Sequence, residues 1–288
     1  MQIKLESQDI VPYQIPKRII QTGRHAHQPL RNRAVIANLR LLNPDYDYLF
    51  FDDQQVQAFI DREFRQYRGV FDSFPFPIQR YDFFRYLVVY RLGGFYFDLD
   101  FLLASGLSEL RDSGCVFPFE GPTLSHYLCT HHNMDWEIGN YAFGASAGHP
   151  FLEAIIENCV KAQKDPAWVK TMLRGCPPFL RNEYRSLNTT GPGLITRTLA
   201  ENVELGKSVT VLFPEDLSDM RTWNCFGPYG VHLGEGSWRT KGIFLRRKLA
   251  YLWEMSNAKR FVKQQARVQT SGARGTKENG SKPAERSN

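Results

Sequence analysis

The segment 79–103, QRYDFFRYLVVYRLGGFYFDLDFLL, constrains the fold more than any other stretch of the chain. Residues 78–91 have helical spacing, Gly93 and Gly94 end the helix, and residues 95–98 form an apolar strand that leads into two aspartates. A tight reversal at the glycines lays the strand back against the helix. Polar groups on the helix are thereby carried to the end of the strand.

The rest of the body repeats this alternation. Residues 18–22 are a short apolar strand after Pro16; 28–42 are helical and stop at Pro44; 47–51 are a second strand. Asp52-Asp53 caps a helix through about Arg68. Further strands are expected at 141–145 and 209–213, and helices from Pro150 and after Gly191-Pro192-Gly193. Such alternation predicts an α/β fold, a mostly parallel sheet with helices on both faces. Ligands of these sheets sit beyond the carboxyl ends of the strands.

Asp98-Leu99-Asp100 falls there. The triplet alone says little, because fifteen aspartates in 288 residues supply about one Asp-x-Asp by chance. Asp45-Tyr46-Asp47 is the chain's own example, in a proline-led turn. At a strand end, residues i and i+2 share a face, so both carboxylates project into the crevice while Leu99 stays inside. Adjacent carboxylates repel unless a cation lies between them, and oxygen ligands suit Mg²⁺ or Mn²⁺, ions commonly shared with substrate phosphates. Asp82 and Arg85, at i and i+3, share a helix face that the Gly-Gly turn brings to this end. An arginine beside such a pair suits a phosphate or a sugar hydroxyl. The plainer alternative is a surface ion pair.

The block Asp82-x-x-Arg85…Gly93-Gly94-x-Tyr96-x-Asp98-x-Asp100 resembles the signature of the DXD sugar-binding glycosyltransferases of family 32, which include initiating mannosyltransferases. Clostridial glucosylating toxins carry related arrangements. Five other pieces are similar and in the same order: the IPKRIIQT strand ending in Gln21-Thr22, Asn43-Pro44 through Asp52-Asp53, Asn140 with Gly148-His149-Pro150, Thr190-Gly191-Pro192-Gly193, and His232 through Ser237-Trp238. The resemblance covers about 12–240 and implies a GT-A fold over 1–240 that binds a nucleotide-diphosphate sugar. It implies catalytic roles for Asp82, Arg85, Asp98 and Asp100, with Asp82 and Arg85 on sugar hydroxyls and Asp98 on ribose and donor sugar. Donor contacts further fall to Gln21, Thr22, Asn140, Ser237 and Trp238. Mn²⁺ or Mg²⁺ would be held by Asp100 with His232, Glu235 being a competing ligand. The reaction implied is sugar transfer from a UDP- or GDP-sugar to a glycan or lipid-linked hydroxyl, with retained configuration.

Charge separates the end from the body. Residues 239–288 hold 13 basic and 3 acidic residues, leaving 23 basic and 27 acidic for the rest of a chain whose net charge is +6. A mildly acidic body argues against nucleic acid as a partner. Residues 241–262 predict a basic amphipathic helix whose stripe (Phe244, Leu245, Leu249, Leu252, Trp253) docks on the body or lies on an anionic membrane; docking is the simpler expectation. Residues 263–288 lack large apolar side chains and predict a disordered basic tail. Five scattered cysteines without CxxC read as free thiols. No stretch approaches about 20 apolar residues, and the polar N-terminus resembles no targeting peptide. These features suggest a cytoplasmic protein, peripheral on the inner face of a membrane if the basic end binds there.

A haloacid-dehalogenase-like phosphohydrolase also has Asp-x-Asp after an apolar strand, but near its chain start and with Thr or Val shortly after. Here the pair lies a third of the way along, before Phe101-Leu102-Leu103. A non-catalytic carbohydrate-binding or membrane-adaptor protein would have no need of the carboxylate pair and Arg85.

Overall fold

The computed structural model describes residues 14–234 and 244–275, so Glu235, Ser237 and Trp238 lie outside the described residues. The strands are β1 (Arg18–Thr22), β2 (Asp47–Phe51), β3 (Gly94–Phe97), β4 (Phe101–Leu103), β5 (Cys115–Pro122), β6 (Trp136–Ile138), β7 (Ala142–Ala145), β8 (Thr210–Leu212) and β9 (Gly230–His232). A seven-stranded sheet runs β2-β1-β3-β7-β5-β6, with β8 on β5, and β4 pairs with β9 outside it. The β2-β1-β3 half is parallel, as is β5-β8. β7 and β6 run antiparallel to their neighbours, which makes the α/β sheet mixed.

Strand alternation assigns the two core layers. Phe95 and Phe97 face the layer with Val35 and Leu39 of helix Leu30–Leu42. Tyr96 faces the other, with helices Pro77–Leu92 and Pro150–Lys164. Local signals act where expected. Asp52 accepts from the Gln55 amide while Gln55 accepts from the Asp52 amide, a reciprocal cap on helix Asp53–Glu63. His149 Nδ1 accepts from the Phe151 amide and Pro150 takes the first turn, so Gly148-His149-Pro150 starts a helix. In Thr190-Gly191-Pro192-Gly193, a Cβ on Gly193 would lie 2.3 Å from Asn188 Oδ1, so close side-chain packing accounts for that glycine.

The C-terminal helix spans Phe244–Gly275, thirteen residues past the expected stop at 262. It docks, through Trp253 of the expected stripe and later turns that the stripe did not include. Ala258 and Phe261 are buried against Phe119 and Trp223, and Trp253 packs edge-on to Tyr184 at 5.6 Å. Leu249 and Leu252 face solvent, at 46% and 53% exposure. Periodicity locates an apolar stripe without saying what it faces; here the aromatic cluster beside β5 selects the later turns. Among the described residues no helix is long and apolar enough to cross a membrane, and the five cysteines are free.

The Gly-Gly reversal forms as predicted. Gly93 has φ +64° and Gly94 φ +121°, and a Cβ on Gly94 would sit 2.8 Å from the Arg18 carbonyl of β1. Gly94→Ala therefore combines a forbidden backbone with a backbone clash and should destabilise by about 2–4 kcal/mol in urea denaturation. A loss below about 0.5 kcal/mol would show that the turn tolerates another conformation.

Candidate functional site

The site is built around the buried Arg85 side chain on helix Pro77–Leu92. Its guanidinium lies 3.1 Å from Asp82 Oδ1 and 3.2 Å from Asp98 Oδ1, and donates to the Asn140 carbonyl at 2.6 Å. It also stacks 4.7 Å over the Tyr96 ring. Asp82 accepts from Asn140 Nδ2 and Thr190 Oγ1, both at 3.0 Å. The expected Asp82–Arg85 pair is therefore a buried hub joining the helix, the entry to β7 and the 190 turn, and not a surface ion pair. Tyr96, two residues before Asp98 on the same face, donates to Asp98 Oδ1 at 3.1 Å.

The Asp98-Leu99-Asp100 triplet corrects the expected geometry. β3 ends at Phe97, and the triplet forms a turn into β4 with the Phe101 amide donating to the Asp98 carbonyl. Leu99 is half-buried against Gly23 and not in the interior. The carboxylates still converge, because the turn hands the chain to β4, whose partner β9 carries His232 opposite Phe101. His232 Nε2 lies 3.1 Å from Asp100 Oδ1, and its ring stacks on Tyr141 at 4.4 Å and 6°. Ligand atoms of Asp98, Asp100 and His232 all fall within 4.8 Å of one another.

The two aspartates sit in different fields. Burial raises the Asp98 carboxyl above its ordinary range, against the opposing pull of Arg85. At Asp100 burial also pulls upward, but the hydrogen bond and charge of His232 prevail and hold it below the usual range. His232 is correspondingly raised, burial being outweighed by Asp100. Asp82 is pushed up to about 6 by burial, with Arg85 and Thr190 opposing. Two oxygens and an imidazole nitrogen so arranged match the donor set of a hard or borderline divalent cation.

Of the donor-contact positions, Asn140 joins the hub directly. Thr22 reaches it through Tyr96, at 2.8 Å between hydroxyls, and Gln21 donates to the Asp98 carbonyl at 3.2 Å. Sequence reasoning missed Tyr86, Thr190, Tyr141 and Glu120. Tyr86 donates to the Thr190 carbonyl and accepts from Asn140; Glu120 lies close enough to raise both His232 and Tyr141. The signals available were the TGPG turn and aromatic spacing, which do not reveal long-range partners. Asp45 and Asp47, in the control triplet, pair with Lys17 and Arg18 at the surface.

Residues 29–117 match the family described as the glycosyltransferase sugar-binding region containing the DXD motif. The matched part contains Asp82, Arg85, Asp98 and Asp100, but neither Asn140 nor His232. The chain is similar to inositol phosphoceramide mannosyltransferase 2 of Schizosaccharomyces pombe, 31% identical over 150 residues, 52% of this chain and 40% of that protein. It is also similar to mannosyl phosphorylinositol ceramide synthase SUR1 of Saccharomyces cerevisiae, 28% identical over 141 residues, 49% of this chain and 34% of that protein. The chain thus spans well under two thirds of either relative's length. Among solved structures, the PaToxG glycosyltransferase aligns at TM-score 0.41 and 16% identity, over 68% of this chain and 75% of that one.

The hub makes a stability prediction with a defined sign. A carboxyl near 6 in the folded state and 3.8 when unfolded retains its proton longer on folding. Stability is therefore highest below pH 3.8 with respect to this group and declines as pH rises to about 6, by up to about 3 kcal/mol. Asp82→Asn should remove that slope, measured as denaturation free energy between pH 4 and 6 relative to wild type. Equal slopes in both proteins would mean Asp82 ionises normally.

Proposed function

We propose that the chain is a metal-dependent, retaining glycosyltransferase of GT-A type, moving a hexose from a nucleotide-diphosphate sugar to a hydroxyl of a glycan or lipid-linked acceptor. The observation that carries this reading is the convergence of Asp98, Asp100 and His232 beside the Arg85–Asp82–Asn140 hub. The relatives' names favour mannose as the sugar and a glycolipid as acceptor. The basic segment 241–288 would hold the enzyme on the cytoplasmic face of an anionic membrane.

Asp100 and His232, with Asp98 beside them, would hold Mn²⁺ or Mg²⁺; a bound divalent ion supplies positive charge for the departing diphosphate. Arg85 and Asp82 orient the sugar hydroxyls, and their mutual pairing and burial keep them rigid, so little reorganisation is needed when the donor arrives. Asp98 accepts from ribose or sugar hydroxyls while Tyr96 and Thr22 fix its angle. Ser237 and Trp238 are proposed to close over the diphosphate. The leaving phosphate itself takes the acceptor's proton on the same face, which preserves configuration.

The test is nucleotide release from UDP- and GDP-sugars with Mn²⁺, alongside thermal shift with the nucleotides. Wild type should be stabilised by about 2.7 kcal/mol at ligand 100-fold above Kd, and Asp100→Ala should lose both signals. Failure of every donor to bind or react, or an unchanged Asp100→Ala enzyme, would sink the reading.

A proton must leave His232 before its nitrogen can ligate. Because that group titrates above its ordinary 6.5, Mn²⁺ affinity should fall as pH is lowered through the neutral range. The limiting slope is about tenfold per pH unit. His232→Ala should bind more weakly and lose this proton-coupled slope in isothermal titration; an identical slope would exclude His232 as a ligand.

A further inference from the structure

A second charged concavity lies away from the hub. An open cleft of about 360 Å³ separates the 218–221 segment from the C-terminal helix, within the roughly 300–1,000 Å³ of small-molecule sites. Met220 and Val262, on the edge of the Phe119–Trp223–Phe261 cluster, give it apolar walls. Arg221, Lys259 and Lys263 bring three cations to it against one carboxylate, Asp219. Asp219 is engaged by Arg221 through two guanidinium nitrogens, at 2.8 and 2.7 Å. The cleft thus keeps a surplus of positive charge, suited to a phosphate group.

The helix says which phosphate. Lys248, Leu252, Lys259 and Lys263 follow one another at intervals of four, seven and four, and so share one face. Leu252 is 53% exposed on that face, with Leu249 and Tyr251 at 46% and 61% nearby, while Ala258 and Phe261 bury the docked side. Exposed apolar side chains among lysines, on a helix already fixed to the body, suit a bilayer interface better than bulk water.

The cleft is also tied to the metal-site histidine. Arg221 is three residues before Asn224, whose carbonyl accepts from the His232 amide at 2.7 Å, and Tyr141 donates to the Cys225 carbonyl at 3.2 Å. Three residues reach at most about 11 Å, so the chain that lines the cleft is within that span of the strand segment held to His232.

We propose that this cleft binds the headgroup phosphate of an anionic membrane lipid and thereby seats the catalytic face against the bilayer. This rests on the glycosyltransferase reading for its purpose but not for its binding chemistry. The test is co-sedimentation of the full chain with phosphatidylcholine vesicles with and without phosphatidylglycerol, with glycerol 3-phosphate as soluble competitor. Lys259→Gln with Lys263→Gln should weaken binding to the anionic vesicles about 25-fold, at about fivefold per charge near a membrane. Lys164→Gln with Lys170→Gln removes the same charge from exposed lysines of other helices and should cost at least fivefold less than the cleft pair. Equal losses in the two double variants would reduce the effect to diffuse attraction and overturn the cleft, as would no loss in the first. Saturation by glycerol 3-phosphate without preference for vesicles would overturn the membrane assignment. Mn²⁺-dependent nucleotide binding should survive in both variants. A wild type that binds vesicles through the cleft but no nucleotide would overturn the glycosyltransferase reading and leave the cleft standing.

Discussion

A guanidinium taken out of water is the constraint on which the rest of this structure depends. Arg85 is 3% exposed, and a buried cation of that kind is tolerable only when carboxylates and dipoles surround it. Asp82 and Asp98 supply the charge, the Asn140 carbonyl a further acceptor, and Tyr96 an aromatic face. They come from the same helix, the end of β3 and the entry to β7, and Asp82 in turn binds Thr190, so satisfying one side chain ties these segments and the 190 turn together. Removing one partner leaves the others buried and unbalanced, which is why such a cluster is rigid.

That rigidity divides the labour at the edge of the sheet. Tyr141 stands between the two halves: its carbonyl accepts from the Asp98 amide, and its ring lies under His232. On one side Asp98 belongs to Arg85; on the other Asp100 belongs to His232. Two carboxylates two residues apart therefore have opposite tendencies, Asp98 raised by burial and Asp100 lowered by its histidine. One is disposed toward polar hydroxyls and the other toward a cation, the pairing that the proposed metal-bound sugar diphosphate calls for.

Much of this was legible in local chemistry. The alternation of strand and helix, the Asp52 cap, the Gly93-Gly94 reversal and the nearness of Asp82 and Arg85 to the aspartates all follow from short-range rules. What local rules missed depends on distant partners. β4 and its pairing are not announced locally, because nothing nearby shows that Phe101–Leu103 pairs with Gly230–His232. β5 and β6 lie in a region with weak periodicity, where an antiparallel pairing across 14 to 19 residues, irregular between Phe119 and Gly121, sets the structure. Thr190 resembles a helix-start residue until the fold brings it to Asp82. The C-terminal helix is legible, yet its docked face is so only in part, since Phe261 packs on Phe119 and Trp223, more than thirty residues away.

The central claim is that Asp98, Asp100 and His232 form one cation site facing a nucleotide diphosphate. Anomalous diffraction from crystals grown with Mn²⁺ and GDP or UDP measures this directly. The account predicts a manganese peak about 2.0–2.3 Å from Asp100 and His232 ligand atoms, with diphosphate oxygens completing its shell and the Arg85 hub unmoved. A peak elsewhere, or nucleotide bound with no ion between it and Asp100, would contradict it.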